Sequence, residues 1–215
     1  MVKITGQTVV TLTGPSLSGK TTLMRRLQAT GHFTEIVSHT TRQPRVGEVC
    51  GKDYYFCTQK EFDLTEMAER VTYGSASYGV SAAEVARAQK SGGLPIVIVE
   101  PSGASQISNM SYLKNWQHIA LFLDVDPETQ WSRLMGRFTS DTNASAIKYM
   151  ERAGLMASEH KWHKSMAWDL SIPRYDGETQ EDAEHLILRF LGLGSHRAVD
   201  LRSAEVASAV STDAN

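Results

Sequence analysis

The chain has 215 residues, 41% of them hydrophobic, enough for one sizeable core, and a formal net charge of -2. That balance argues against bulk electrostatic capture of nucleic acid or an anionic membrane surface, and no apolar run approaches the ~20 residues of a bilayer span. Cys50 and Cys57 are too few and wrongly spaced for a zinc site or a disulfide framework, so they read as ordinary reduced thiols of a cytoplasmic protein.

The N-terminus lacks a signal-peptide apolar region and leads into TVVTLT (Thr8–Thr13), a β-branched run that predicts a buried strand. GPSLSGKTT follows at once, then LMRRLQAT, a helix with Leu23 and Leu27 on one face. Residues 34–80 are rich in Gly, Thr, Ser and Tyr, with short strand-like pieces such as DYYFCT, and read as an insertion into a regular alternation. SAAE predicts a capping box, Ser81 as N-cap and Glu84 three residues on, opening a helix that stops at Gly92-Gly93. LPIVIVE (94–100) and HIALFLDV (118–125) are continuous apolar runs, the signature of strands buried on both faces of a parallel sheet.

Further along, ETQWSRLMGR predicts a helix, FTSDTN a break, and residues 144–163 a longer helix. The acids of DVD (Asp124–Asp126) suit the cap of the helix before Pro127. DLSIP predicts a short strand, and EDAEHLILRFLG a closing amphipathic helix. Trp162, Met166 and Trp168 are expected in the core, and His160 and His163 lack a third metal ligand. The tail, 195–215, is poor in large apolar residues and reads as partly disordered. Strands alternating with helices predict an α/β fold with a central parallel sheet.

Gly14-Pro15-Ser16-Leu17-Ser18-Gly19-Lys20-Thr21, with Thr22 beyond it, fits G-x-x-x-x-G-K-[ST] between a strand and a helix. The glycines let backbone N–H groups turn toward phosphate oxygens, Lys20 reaches the β/γ-phosphates, and Thr21 can ligate Mg²⁺. The pattern predicts a nucleoside triphosphate site, ATP with Mg²⁺, without naming a reaction. A second site is suggested by SHTTRQPRVGEVCGKDYYF (38–56), where Arg42 and Arg45 are spaced to converge on one small anion and Tyr54 and Tyr78 can add hydroxyl donors. A solvated basic loop over a satellite core explains the same composition.

The order S-x-T-T-R-x-P-R-x-G-E-x-x-G-x-D-Y-x-F, together with GPSxSGK, resembles the guanylate kinase family over roughly residues 8–190. The resemblance implies a P-loop three-layer fold in one domain, 1–194. Its core would be 1–34 and 81–194, with a mixed β/α monophosphate-binding insertion at about 35–80 and a short helical lid at about 133–152. It implies that Arg42, Arg45, Tyr54 and Tyr78 hold the acceptor's phosphate, that Ser38 reads the guanine edge, and that Glu48 belongs to the same site. A glutamate pairing with guanine's N–H groups falls on Glu69 by counting back from Tyr78, or on Glu66 by local pattern. IVIVEPSG resembles a family strand ending D-x-D-x-Q-G, with Glu100 and Gly103 at the second acid and the glycine. Here Ile98 replaces the first acid and Val80 a usual serine or threonine. Arg133, Arg137 and Arg152 match arginines of the lid, and DLSIP lacks an asparagine expected near the donor base.

The implied activity is transfer of the γ-phosphate of ATP to GMP or dGMP, with Lys20, Arg42, Arg137 and Arg152 as its catalytic residues. The expected partners are these small nucleotides, with no nucleic acid or membrane, and a chain acting as monomer or homodimer. The alternatives are a kinase for another or modified nucleoside monophosphate, a ribose bisphosphate kinase, and a guanylate-kinase-like module that binds proteins without catalysis. Retention of Gly19, Lys20 and Thr21 weighs against the last.

Overall fold

β1 (Thr8–Thr13) is buried along its whole length because both of its faces meet apolar layers. Val10 and Leu12 join Leu23 and Leu27 in one cluster, while Val9 faces Val85 and Val97 in another, the period-2 alternation of a strand covered on both sides. A computed structural model describes residues 2–5, 7–109, 116–140, 146–175 and 177–194. The predicted tail lies outside them, as does the second half of the predicted break, 141–143.

Five strands form a parallel sheet in the order β2 (Phe33–Glu35), β7 (Leu94–Ile98), β1, β8 (Gln117–Val125), β9 (Leu170–Arg174). β1 is central, and the chain leaves it first to one side and later to the other, so the crevice at its carboxyl end is a topological switch point. Helices α1 (Lys20–Ala29) and α7 (Gln180–Phe190) cover one face; α3 (Ala82–Lys90) and α4 (Pro101–Ser108) cover the other. This is the three-layer α/β arrangement anticipated from the alternating pattern.

A second sheet, in the order β4 (Tyr55–Phe56), β3 (His39–Thr40), β6 (Ala76–Ser81), β5 (Met67–Tyr73), stands over the carboxyl side of the first, with α2 (Gln59–Leu64) between β4 and β5. Its β5–β6 pairing shifts register between Met67 and Glu69, an extra residue that turns the strand and re-aims Glu69. The β5 edge is docked on α4 by the Gln106 side chain, which accepts from Arg70 N–H at 3.2 Å and donates to Arg70 C=O at 2.9 Å. In this way it mimics a neighbouring strand.

Several expectations change in detail. Ser81 caps α3 by accepting from Glu84 N–H at 3.3 Å, yet Glu84 does not complete the box. Its carboxylate instead accepts from Val37 N–H at 3.0 Å, from the Tyr55 hydroxyl at 3.1 Å and from Arg87, since a buried acid is better satisfied by these donors than by one backbone amide. The predicted break after residue 137 begins later: α5 (Pro127–Ser140) runs on with Thr139 and Ser140 hydroxyls bonded back to carbonyls of the preceding turn. α6 (Ala146–Glu159) stops short of His163, and a 3₁₀ turn, Trp162–Lys164, follows it. Asp126 does cap α5, accepting from Thr129 N–H at 2.8 Å. Trp168 stacks on Phe122, but Trp162 lies edge-on to Tyr73 at a cleft wall and not in the core. Among the described residues no helix is long and apolar enough to cross a membrane.

Candidate active site

The loop 14–19 leaves the buried end of β1 and turns into α1 with two residues in the left-handed region. Gly19, φ 95°, is the N-cap of α1, and any Cβ there would collide with the Gln180 side chain. Leu17 holds φ 66° despite its side chain, a conformation costing roughly 1–2 kcal/mol. Its burial against Leu134 and Met156 offsets that cost, and its carbonyl accepts from Arg133 Nη1 at 3.0 Å. Gly14 also has no room for a side chain, since a Cβ would sit 2.8 Å from Leu123 O and 2.9 Å from Ser18 Oγ.

The Lys20 ammonium donates to the carbonyls of Gly14 at 2.7 Å and Pro15 at 2.8 Å. Enclosure pulls its pKa from 10.5 down to about 8, and nearby Arg152 adds to the fall, while Glu159 and Glu100 oppose it. Thr21 and Thr22 open the first turn of α1 beside it, and all of Gly14, Ser16, Leu17, Gly19, Lys20, Thr21 and Thr22 line one cleft of about 260 Å³. Pro15 and Ser18 shape the loop from behind, Ser18 fully buried.

The facing wall is supplied by the second sheet. Ser38, Arg45, Tyr54, Glu69 and Tyr78 line the same cleft, joined by Glu100 from the end of β7 and by Arg137 and Arg152 from α5 and α6. Tyr54 and Tyr78 meet edge to face with ring centroids 6.0 Å apart. Partial desolvation, then the charges of Arg42 and Arg152, hold the Arg45 guanidinium below its ordinary value. Arg42 is tied instead to Glu48, Nη2 donating to both carboxylate oxygens at 2.9 and 3.0 Å, while its guanidinium lies 5.4 Å over the Tyr54 ring. The same Glu48 accepts from Arg45 N–H at 2.7 Å, so it sets the loop that presents both arginines. Arg133 braces Leu17 behind the phosphate loop and does not line the cleft.

Glu69 is 3% exposed and its Oε1 has no hydrogen-bond partner among the described residues. Burial pushes its carboxyl from 4.5 up to about 7, with the Val80 backbone N–H pulling the other way and Glu100 adding to the rise. Glu100 is raised to about 7 as well, by burial and by Glu159, against the pull of Lys20. Glu66 is not in the cleft; its carbonyl accepts from Ala82 N–H at the foot of β5. Gly103 lies behind Glu69, where a Cβ would approach Oε1 to 2.6 Å. Val80 is buried in the apolar cluster with Val85 and Val99, and Ile98 contributes an apolar patch to the cleft floor.

Val71, Tyr73, Glu159 and Trp162 also line the cleft, and the motifs did not mark them as site residues. Glu159 is 2% exposed; it accepts from Ser16 N–H at 2.6 Å, from Ser16 Oγ at 2.9 Å and from the Tyr73 hydroxyl. One signal was readable: Glu159 follows Arg152 by seven residues, two helical turns, so both sit on one face of α6. Tyr73 carried none, because only the pairing of β5 with β6 brings it to the phosphate loop.

A family model described as guanylate kinase matches residues 6–172. The chain is similar to the guanylate kinase of Geobacter metallireducens, 32% identical over 160 residues, covering 71% of this chain and 75% of that one. It is also similar to that of Homo sapiens, 37% identical over 110 residues, covering 48% and 56%. The matched span is thus about half to three quarters of the length of such curated relatives. The solved guanylate kinase from Anaplasma phagocytophilum superposes over 95% of both chains with a TM-score of 0.59 at 24% identity, a likeness of fold. With its match over most of the sequence, the chain belongs to the guanylate kinase family.

Proposed function

We propose that this protein is a nucleoside monophosphate kinase that transfers the γ-phosphate of ATP to GMP or dGMP. The observation that carries this reading is one cleft with two unlike walls: a phosphate loop with Lys20 on one side, and Ser38, Glu69, Arg45, Tyr54 and Tyr78 on the other. A buried carboxylate in the cleft wall suits a base edge that presents N–H donors, as guanine does. Such a pocket rejects a wrong base because mispairing strands buried polar groups.

In this reading Lys20 and the loop amides bind the donor's phosphates, Arg45 and the two tyrosines hold the acceptor's phosphate, and Arg42 supports them through Glu48. Arg137 and Arg152 bring positive charge to the transferring group. A monophosphate oxygen is already a nucleophile, so alignment and charge suffice without a general base. Mg²⁺ fits the donor set, since Thr21 offers a hydroxyl beside Lys20, and among the described residues no cage of three His, Cys, Asp or Glu side chains competes with phosphate-bound metal. Thr21 would hold Mg²⁺ there, and the ion would neutralise charge on the donor's phosphates.

The test is ATP-dependent turnover against GMP, dGMP, AMP, dTMP and CMP, with Lys20→Ala as control. Turnover of GMP or dGMP well above the others supports the reading. Turnover of none of them, in a folded protein that still binds ATP, overturns it.

A further inference from the structure

Three elements that carry different parts of the cleft meet at one carboxylate. Glu159 ends α6, the helix bearing Arg152; Ser16 belongs to the phosphate loop; Tyr73 ends β5, the strand bearing Glu69. The carboxylate takes three donors from two segments that are far apart in sequence, and it is almost wholly buried. Trp162, just beyond α6, lies edge-on to the Tyr73 ring with centroids 6.4 Å apart and limits its swing. Burial, followed by the Glu159 hydrogen bond and charge, raises the Tyr73 hydroxyl well above its ordinary value, so it remains a donor throughout the working pH range.

Neither residue needs to touch a nucleotide to matter. The second sheet and its loops are joined to the core by chain at residues 36–38 and 81–82, by Gln106 on Arg70, by Tyr55 on Glu84, by the Arg25–Asp53 ion pair to α1 and by Val80 in the apolar cluster, none of them a bond to the phosphate loop itself. The Tyr73–Glu159–Ser16 link ties that sheet directly to the loop. From this we infer that Glu159 and Tyr73 are positioning residues that hold the acceptor-binding sheet in register with the phosphate loop, so that two half-sites line up as one. The inference rests on the kinase reading of the cleft and adds a determinant of alignment to it.

A hydrogen bond to a charged, buried group sustains roughly a tenfold or larger effect when lost. Tyr73→Phe removes one donor and keeps the ring against Trp162; Glu159→Gln keeps the shape and removes the charge. Both variants are compared with the parent in two measurements. The first is the split between kcat and KM. The second, which needs no turnover, is calorimetric binding of ADP against an adenosine and a guanosine joined 5′ to 5′ through five phosphates, a probe that spans both half-sites.

The expected result is kcat lowered about tenfold or more with each KM within about twofold, and the linked dinucleotide bound about tenfold more weakly while ADP binding holds. Linked-dinucleotide affinity equal to the parent's in both variants overturns the inference even if the protein is a kinase. A parent that binds the linked probe no tighter than ADP overturns the acceptor-site reading, and the inference with it. If Glu159→Gln does not fold, Tyr73→Phe alone decides between these outcomes.

Discussion

Glu69 Oε1 occupies space that only a glycine at 103 leaves open: a Cβ built on Gly103 would lie 2.6 Å from that oxygen and 3.1 Å from the carboxyl carbon. The bulge in β5 turns the acid toward α4, and Gly103 in the first turn of α4 receives it. Gly103→Ala is therefore expected to displace Glu69, raising the acceptor KM at least about tenfold and lowering stability by ~1–3 kcal/mol, the usual cost of overpacking. ADP affinity should be unchanged; steady-state kinetics with calorimetry checks both.

Glu69 also makes a prediction in pH. Its carboxyl rises from 4.5 in the unfolded chain to about 7 in the fold, so the folded state binds the extra proton between those values. The associated stability is complete below about 4.5 and is lost as pH rises through 7. Glu69→Gln should raise the melting temperature at pH 8 by an amount corresponding to at most roughly 3 kcal/mol, and by almost nothing at pH 4.5. Acceptor affinity of the parent moves the opposite way, weakening below pH 7 as the carboxylate that accepts N–H donors is protonated. Thermal melts and binding isotherms across pH 4.5–8 test the two trends.

Gly19 separates steric from conformational demand. Gly19→Ala is expected to abolish ADP binding, and Gln180→Ala added to it should not restore it, because φ 95° remains unfavourable to a side chain after the clash is removed. Recovery of binding in the double variant would show that Gln180 alone was the obstacle.

Arg42 and Arg45 are expected to differ in kind. Arg45 lines the cleft, and Arg45→Ala should raise the acceptor KM roughly 10- to 100-fold, the loss of a charge-assisted contact to phosphate. Arg42 is bound to Glu48, which also holds the Arg45 N–H, so Glu48→Ala should weaken acceptor binding although Glu48 does not line the cleft. Both variants should bind ADP like the parent, which calorimetry can establish.

The parts legible from sequence are those whose cause is local. β1, the phosphate loop and α1 follow from a β-branched run, two glycines and the spacing of Leu23 and Leu27, all within some twenty residues. Ser38, Arg45 and Tyr54 were readable because one compact stretch carries them. Glu69 was ambiguous with Glu66, since a bulge shifts the register by one residue and alternation cannot reveal it. Tyr73, Glu159 and Trp162 were missed for a related reason: each is an ordinary residue in its own element, and only contacts across 86 or more positions bring the first two together with Ser16. The role given to Glu84 failed because its Tyr55 and Val37 donors lie 29 and 47 positions away.

The pairing pattern also orders assembly in time. The β5–β6 hairpin closes through a turn at Gly74, so its partners are neighbours along the chain, and such contacts form quickly. β1 must wait for β7, 86 residues later at Val10 and Ile96, and for β8, 109 residues later at Val10 and Ile119. Gly14 packs against Leu123 of β8. During synthesis the phosphate loop thus emerges before the strands that fix it and takes its shape only once β7 and β8 have followed, so nucleotide binding is expected to be a late reporter that the central sheet has closed.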